Sequence, residues 1–343
     1  LKKLNLIIIA AICLVLGLGV AAYVNRSGSH SSSRTSSRTS STAASQGVSN
    51  DSNLSPQNFN ESTADSGRPS APVAGVVSTR LKPNVNANQT FYLWQKNNVP
   101  TTTDYKAAGG NDDGADFRPN MISFPVPKGT RIKGAVLINA GGAFQFRSNS
   151  NEGYPVAEAL ARRGYQSFVV NYRLLPYTQQ EGALDLERGV RYVCAHAKEY
   201  GIHPNDVAVM GFSAGGILAG EMLLNYDGIV NGTALDKKYQ PDALDKVPAE
   251  VGADGMIYSF YGQLSIASKD VSELRRGNLP PTYFCYGTED PFFDEFKANI
   301  RALRQAGVHV QTDVLQGAPH GYGYRRGWIP RYDKWLTQVL AKN

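Results

Sequence analysis

Cysteine is scarce in this chain, with three among 343 residues. Cys13 lies in an apolar N-terminal run, which leaves Cys194 in an expected helix and Cys285 in an expected strand. That placement predicts buried free thiols and no disulfide, so the fold must stand on its core, and the chain is long enough to build one. Clustered charge is absent as well. The formal net charge is +6, yet beyond the first hundred positions basic residues are scattered among acidic ones. No Lys/Arg stripe with interleaved aromatics is present, so nucleic acid is excluded as the expected partner. Internal repeats are absent, which leaves room for one large α/β domain plus extra segments.

A single long apolar run stands at the N-terminus. Lys2 and Lys3 precede an uncharged stretch from Leu6 to Val24. Nineteen such residues are long enough to span a bilayer as a helix. The flanking lysines predict that everything after them is exported. Val20-Ala21-Ala22 also offers a small-residue cleavage site, so a retained anchor and a cleaved signal peptide both stay open. Ile12 before Cys13 argues against a lipidation site. Residues 25–79 are dominated by Ser, Thr, Asn, Ala and Gly, and bury too little apolar surface to offset their ordering entropy. They read as a flexible tether between the anchor (residues 1–24) and a catalytic domain (residues 80–343).

Within that domain, short apolar runs alternate with helical periodicity. Strands are expected over 91–94, 121–126, 135–139, 167–171, 207–210, 256–260, 282–286 and 308–315. Helices are expected over 154–163, 184–200, 214–225, 292–305 and 331–341, with a polar insertion over 226–252. Such an alternation implies an α/β fold with a mainly parallel central sheet and helices on both faces.

The chemistry gathers around Gly211-Phe212-Ser213-Ala214-Gly215, a Gly-x-Ser-x-Gly turn between a strand and a helix. A β-carbon at either glycine would collide with the crossing elements, and the turn lifts the Ser213 side chain clear of the sheet. A serine hydroxyl needs a base, and the base needs an orienting acid. Of five histidines, only His320 falls in a loop after a late strand, at the sheet edge where functional groups converge. Asp290 follows strand 282–286 and precedes Pro291, a pattern that also fits a helix N-cap; Glu289 and Asp294 compete for the acid's role. The loop Asn139-Ala140-Gly141-Gly142-Ala143-Phe144 would present the Gly142 and Ala143 N–H groups, with that of Ala214, to an oxyanion.

The chain from about residue 120 to residue 343 resembles α/β-hydrolase-fold esterases and lipases, closest to the hormone-sensitive-lipase-like and carbohydrate acyl esterase branch. The resemblance rests on Ala140-Gly141-Gly142-Ala143-Phe144, Asn171-Tyr172-Arg173-Leu174, Gly211 to Gly216, Gly287-Thr288-Glu289-Asp290 and His320-Gly321. It implies a Ser213–Asp290–His320 triad in the family's chain order, with no metal or organic cofactor. Two departures stand out. Ala140 and Ala143 occupy places where the family carries His or Pro and Gly, and Ile217 occupies a usual His. Alanine keeps its N–H, so the oxyanion site is expected to survive. The short segment 260–280 cannot build a large lid, which favours short acyl groups. Phe144 and Tyr172 are expected at the substrate, and Arg147, Tyr322, Tyr324 and Trp328 at the entrance, unless they are packing residues. The expected activity is hydrolysis of short-chain esters, small or on carbohydrates, by an exported, membrane-tethered serine esterase. A non-catalytic surface module and a peptidase or acyltransferase on the same triad stay open, as does the oligomeric state.

Overall fold

The apolar runs form one eight-stranded sheet in the computed structural model, which describes residues 82–105, 113, 114 and 116–341. The expectations for residues 1–24, for 25–79 and for Cys13 lie outside the described residues. Among the described residues no helix is long and apolar enough to cross a membrane.

The strands are β1 (Gln89–Tyr92), β2 (Asn120–Phe124), β3 (Gly134–Asn139), β4 (Tyr165–Asn171), β5 (Val207–Phe212) and β6 (Ala253–Ile257). A small hairpin, β7 (Gly262–Gln263) with β8 (Ile266–Ala267), stands apart; β9 (Thr282–Gly287) and β10 (Val310–Leu315) complete the sheet. The order is β1-β2-β4-β3-β5-β6-β9-β10. β2 runs antiparallel to both β1 and β4, and every other neighbouring pair is parallel. Every residue of β3, β4, β5, β6 and β9 is buried, which explains their largely apolar sequences, with a few buried polar residues such as Gln166 and Asp254. The chain order reverses around β3, whose neighbours are β4 and β5, and this reversal opens a crevice at the strands' C-terminal ends.

The helices are α1 (Tyr154–Ala161), α2 (Gln179–Ala195), α3 (Ala197–Tyr200), α4 (Ala214–Asn225), α5 (Val271–Arg276), α6 (Phe293–Ala306) and α7 (Ile329–Leu340). α2 begins five positions before its expected start. Its first turn is polar, and a capping box sets the boundary: Thr178 accepts from the Glu181 N–H while Glu181 accepts from the Thr178 N–H. β1 ends before Leu93 and Trp94, because the Trp94 indole turns inward to donate to Asp185 at 2.6 Å.

The polar insertion is not a loose surface loop. Arg188 on α2 binds Asp242 and Asp245, and Arg191 donates to the carbonyls of Asp245, Val247 and Val230. Arg173 makes a 2.9 Å ion pair with buried Asp185 and donates to Pro100 O, tying the N-terminal segment to the same helix. Cys194 and Cys285 are free thiols, half-buried and buried.

Asp254, at the start of β6, is fully buried and accepts from Tyr261 O–H at 2.7 Å. Burial pushes its carboxyl up to about 7 from 3.8. The folded state therefore holds this proton more tightly than the unfolded chain, so the contribution is complete below the unfolded value and is lost as pH rises through 7. The thermal midpoint of the wild type is expected to fall between about pH 4 and about pH 8 by more than that of Asp254→Asn. Parallel pH curves for the two proteins would remove this assignment.

Candidate active site

β5 ends at Phe212 and α4 begins at Ala214, so the whole reversal falls on Ser213, with φ 49° and ψ −121°. A non-glycine residue held there stores roughly 1–3 kcal/mol. Its backbone is pinned on several sides. Ser213 N–H donates to Ile257 O at 3.1 Å, and Ser213 O accepts from Ser259 Oγ at 2.7 Å and from Gly216 N–H at 3.0 Å. The flanking glycines are sterically required, as the sequence predicts. A β-carbon at Gly211 would stand 2.3 Å from Gly215 O, and one at Gly215 would stand 2.2 Å from Asn139 O.

The side chain of Ser213 meets His320, with Oγ 2.9 Å from Nε2. His320 Nδ1 lies 2.7 Å from Asp290 Oδ2. Asp290 is buried, and its second oxygen accepts the Phe292 N–H at 2.9 Å. The expected N-cap role is corrected here. Asp290 closes a turn through Phe292, and α6 starts only at Phe293. Glu289 and Asp294 are exposed and reach neither His320 nor Ser213. The loops after β9 and β10 can approach because Gly287 has no β-carbon, which would sit 1.8 Å from Ala318 O. The His320 ring is packed edge-on against Tyr258 and Phe292, at centroid distances of 4.9 and 5.6 Å. Of the other described histidines, His196 pairs with Glu199, and His203 accepts from the Asn205 N–H.

The loop after β3 takes three consecutive left-handed residues: Gly142, Ala143 and Phe144 have φ of 136°, 53° and 60°. The N–H groups of Gly142, Ala143 and Ala214 have no acceptor among the described residues. Gly141 brings this loop beside the nucleophile turn, since its β-carbon would stand 2.9 Å from Ser213 Cβ. The arrangement therefore combines a hydrogen-bonded Ser–His–Asp chain with backbone N–H groups that have no acceptor among the described residues, a geometry able to receive a negative charge.

A profile of the BD-FAE family matches residues 122–262, and a profile of the alpha/beta hydrolase fold matches residues 253–323. The chain carries the α/β-hydrolase fold. This hydrolase-fold chain is 40% identical over 243 residues to an acetylxylan esterase of Xylanibacter ruminicola, covering 67% of the chain and 48% of that protein. It is 30% identical over 239 residues to Esterase LipC of Mycobacterium tuberculosis, covering 60% of the chain and 55% of that protein. It thus spans about half the length of these curated relatives. An acetyl ester-xyloside bifunctional hydrolase from Caldicellulosiruptor lactoaceticus shares the fold, with TM-score 0.56 at 22% identity, covering 76% of this chain and 98% of the other.

Several residues expected at the substrate of this α/β-hydrolase are structural instead. Tyr172 is fully buried, and its hydroxyl donates to Ala140 O at 2.6 Å, bracing the loop after β3 from behind. Burial raises its pKa above the ordinary phenol value. Phe144 is almost buried with its ring against Tyr172. Arg147 is committed to Asp113 at 2.6 Å and to Tyr172 O at 2.7 Å. Tyr322 and Trp328 are buried, donating to Cys285 O and Gly323 O. Tyr324 alone of that set is exposed, joined by Phe146 and Leu175, which the sequence does not single out. Leu175 N–H donates to Phe144 O, and the Phe146 ring lies over Gly142, so both border the loop after β3. Glu152, Tyr258, Ser259 and Asn151 also support the site, and no motif announces them.

Gly215→Ala is expected to cost about 3 kcal/mol, because the clash is with backbone that cannot step aside. Thermal melts, with labelling of Ser213 by a fluorophosphonate, test this: a variant as stable and as reactive as wild type would contradict the packing described.

Proposed function

We propose that this protein is a serine esterase that hydrolyses short-chain carboxylic esters, with acyl groups carried on carbohydrate as its substrate class. The observation that carries the reading is the unbroken chain from Ser213 Oγ through His320 to buried Asp290, at 2.9 and 2.7 Å, beside three N–H groups with no acceptor among the described residues. His320 Nε2 takes the hydroxyl proton as Oγ adds to the ester carbonyl. Asp290, locked by the Phe292 N–H, holds the ring in the tautomer this transfer needs and offsets the charge of the imidazolium. The developing oxyanion is received by the N–H groups of Gly142, Ala143 and Ala214, the last at a helix N-terminus. Collapse expels the alcohol, which leaves with the proton from His320. Water then attacks the acyl-Ser213 by the same route reversed.

Two features support the substrate class. Residues 261–280 hold only the β7–β8 hairpin and the six-residue α5, too little to roof a long acyl channel. Exposed Phe146 and Tyr324 provide aromatic faces of the kind on which sugars stack, and the acetylxylan esterase relative points the same way. The sequence of the first 79 residues supports export on a tether as the setting for this activity.

The test is hydrolysis of p-nitrophenyl acetate, butyrate and octanoate, and release of acetate from acetylated xylan. Activity is expected to favour the short esters. Ser213→Ala should lower kcat by about 10⁶-fold and Asp290→Asn by about 10⁴-fold. If wild type and Ser213→Ala are equally inert and a fluorophosphonate leaves Ser213 unlabelled, the catalytic reading fails and a binding module replaces it.

A further inference from the structure

The steps above leave one buried acid unused. Glu152 is 4% exposed and sits at the end of the single π-helical turn Asn149–Gly153 that follows the loop after β3. Its Oε2 accepts the Gly141 N–H at 2.6 Å, and its Oε1 accepts the Tyr258 hydroxyl at 2.7 Å. Tyr258 in turn accepts the Gly323 N–H at 3.1 Å, three residues beyond His320. The phenol ring touches Phe212, His320 and Tyr322 at centroid distances of 5.6, 4.9 and 4.6 Å. A continuous path therefore runs from the N–H before Gly142, through a carboxyl and a phenol, to the loop that carries the base.

Burying a carboxyl is costly unless its oxygens are satisfied, and burial raises the pKa of Glu152 against the two hydrogen bonds that lower it. Tyr258 is held at φ 38°, a backbone state that a β-carbon disfavours. An apolar pair would avoid the buried carboxyl but would leave the Gly141 and Gly323 N–H groups without these acceptors. Both residues lie where two loops must be held in register: one presents the oxyanion donors, the other the imidazole. Displacing either loop would leave Ser213 intact while separating donors from base.

We infer that Glu152 and Tyr258 are positioning residues, a single hydrogen-bonded bridge that fixes the Gly142 and Ala143 N–H groups relative to His320 Nε2. The inference rests on the esterase reading, since ester turnover is its readout. Because the bridge touches neither the acyl group nor the leaving group, its loss acts on the transition state and leaves substrate affinity alone.

The experiment is a double-mutant cycle in the full chain: Glu152→Gln, Tyr258→Phe and the pair, with active sites titrated by fluorophosphonate so that only folded enzyme is counted. Glutamine can still accept from Gly141, but its amide leaves the Tyr258 O–H without an acceptor. Each single change is expected to lower kcat for p-nitrophenyl acetate by about 10- to 100-fold, with KM within about twofold. The pair is expected to be no worse than the poorer single variant, because one bridge can be broken only once. Multiplying effects, an unchanged kcat per titrated site, or a raised KM at constant kcat would each overturn the inference. Should Glu152→Gln fail to fold, Tyr258→Phe, which deletes one hydroxyl, decides by the same kcat and KM readings. Failure of the esterase reading looks different: wild type itself would then match Ser213→Ala.

Discussion

Everything at this site depends on how closely two pieces of backbone approach. The turn at Ser213 presses against the end of β3, with the missing β-carbon of Gly215 leaving room for the carbonyls of Asn139 and Ala140. That contact puts Ser213 beside the loop of Gly142 and Ala143 without any side chain mediating between them. It also explains why the strain at Ser213 is tolerable. The hydrogen bonds from Ser259 and Gly216, and the one to Ile257, over-determine the conformation, so relaxing one residue would require moving two adjacent strands.

Much of this was legible in the sequence because its causes are local. A Gly-x-Ser-x-Gly turn carries its own steric logic, and buried parallel strands write themselves as continuous apolar runs. His320 and Asp290 could be singled out, and do hydrogen-bond in line with Ser213, because each follows a strand and the C-terminal edge of such a sheet is where loops meet. The N-cap expected at Asp290 was misplaced for a related reason. The Asp-Pro pair does mark a turn, but α6 starts only after Phe292 has closed it.

What was not legible depends on pairings distant in sequence. Tyr172 looks like an entrance aromatic until its hydroxyl is seen to reach Ala140, and Arg147 looks like a free cation until Asp113 claims it. Residues 226–252 read as a polar insertion on composition alone. They are drawn inward because Arg188 and Arg191 emerge from a largely buried face of α2 and need acceptors. Glu152 and Tyr258 are the extreme case, 106 residues apart and meaningful only as a pair.

The order of the site residues along the chain has a consequence for synthesis. Domains tend to acquire structure from the N-terminus as the chain is made. The nucleophile turn and the oxyanion loop belong to adjacent strands β3 and β5, complete by residue 216, whereas Asp290 and His320 arrive with β9 and β10. A ribosome-bound chain short of residue 320 carries Ser213 without its hydrogen-bond partner. On the esterase reading proposed above, competence is the last property the polypeptide acquires, because the Ser213–His320–Asp290 hydrogen bonds close only once the final strands have docked.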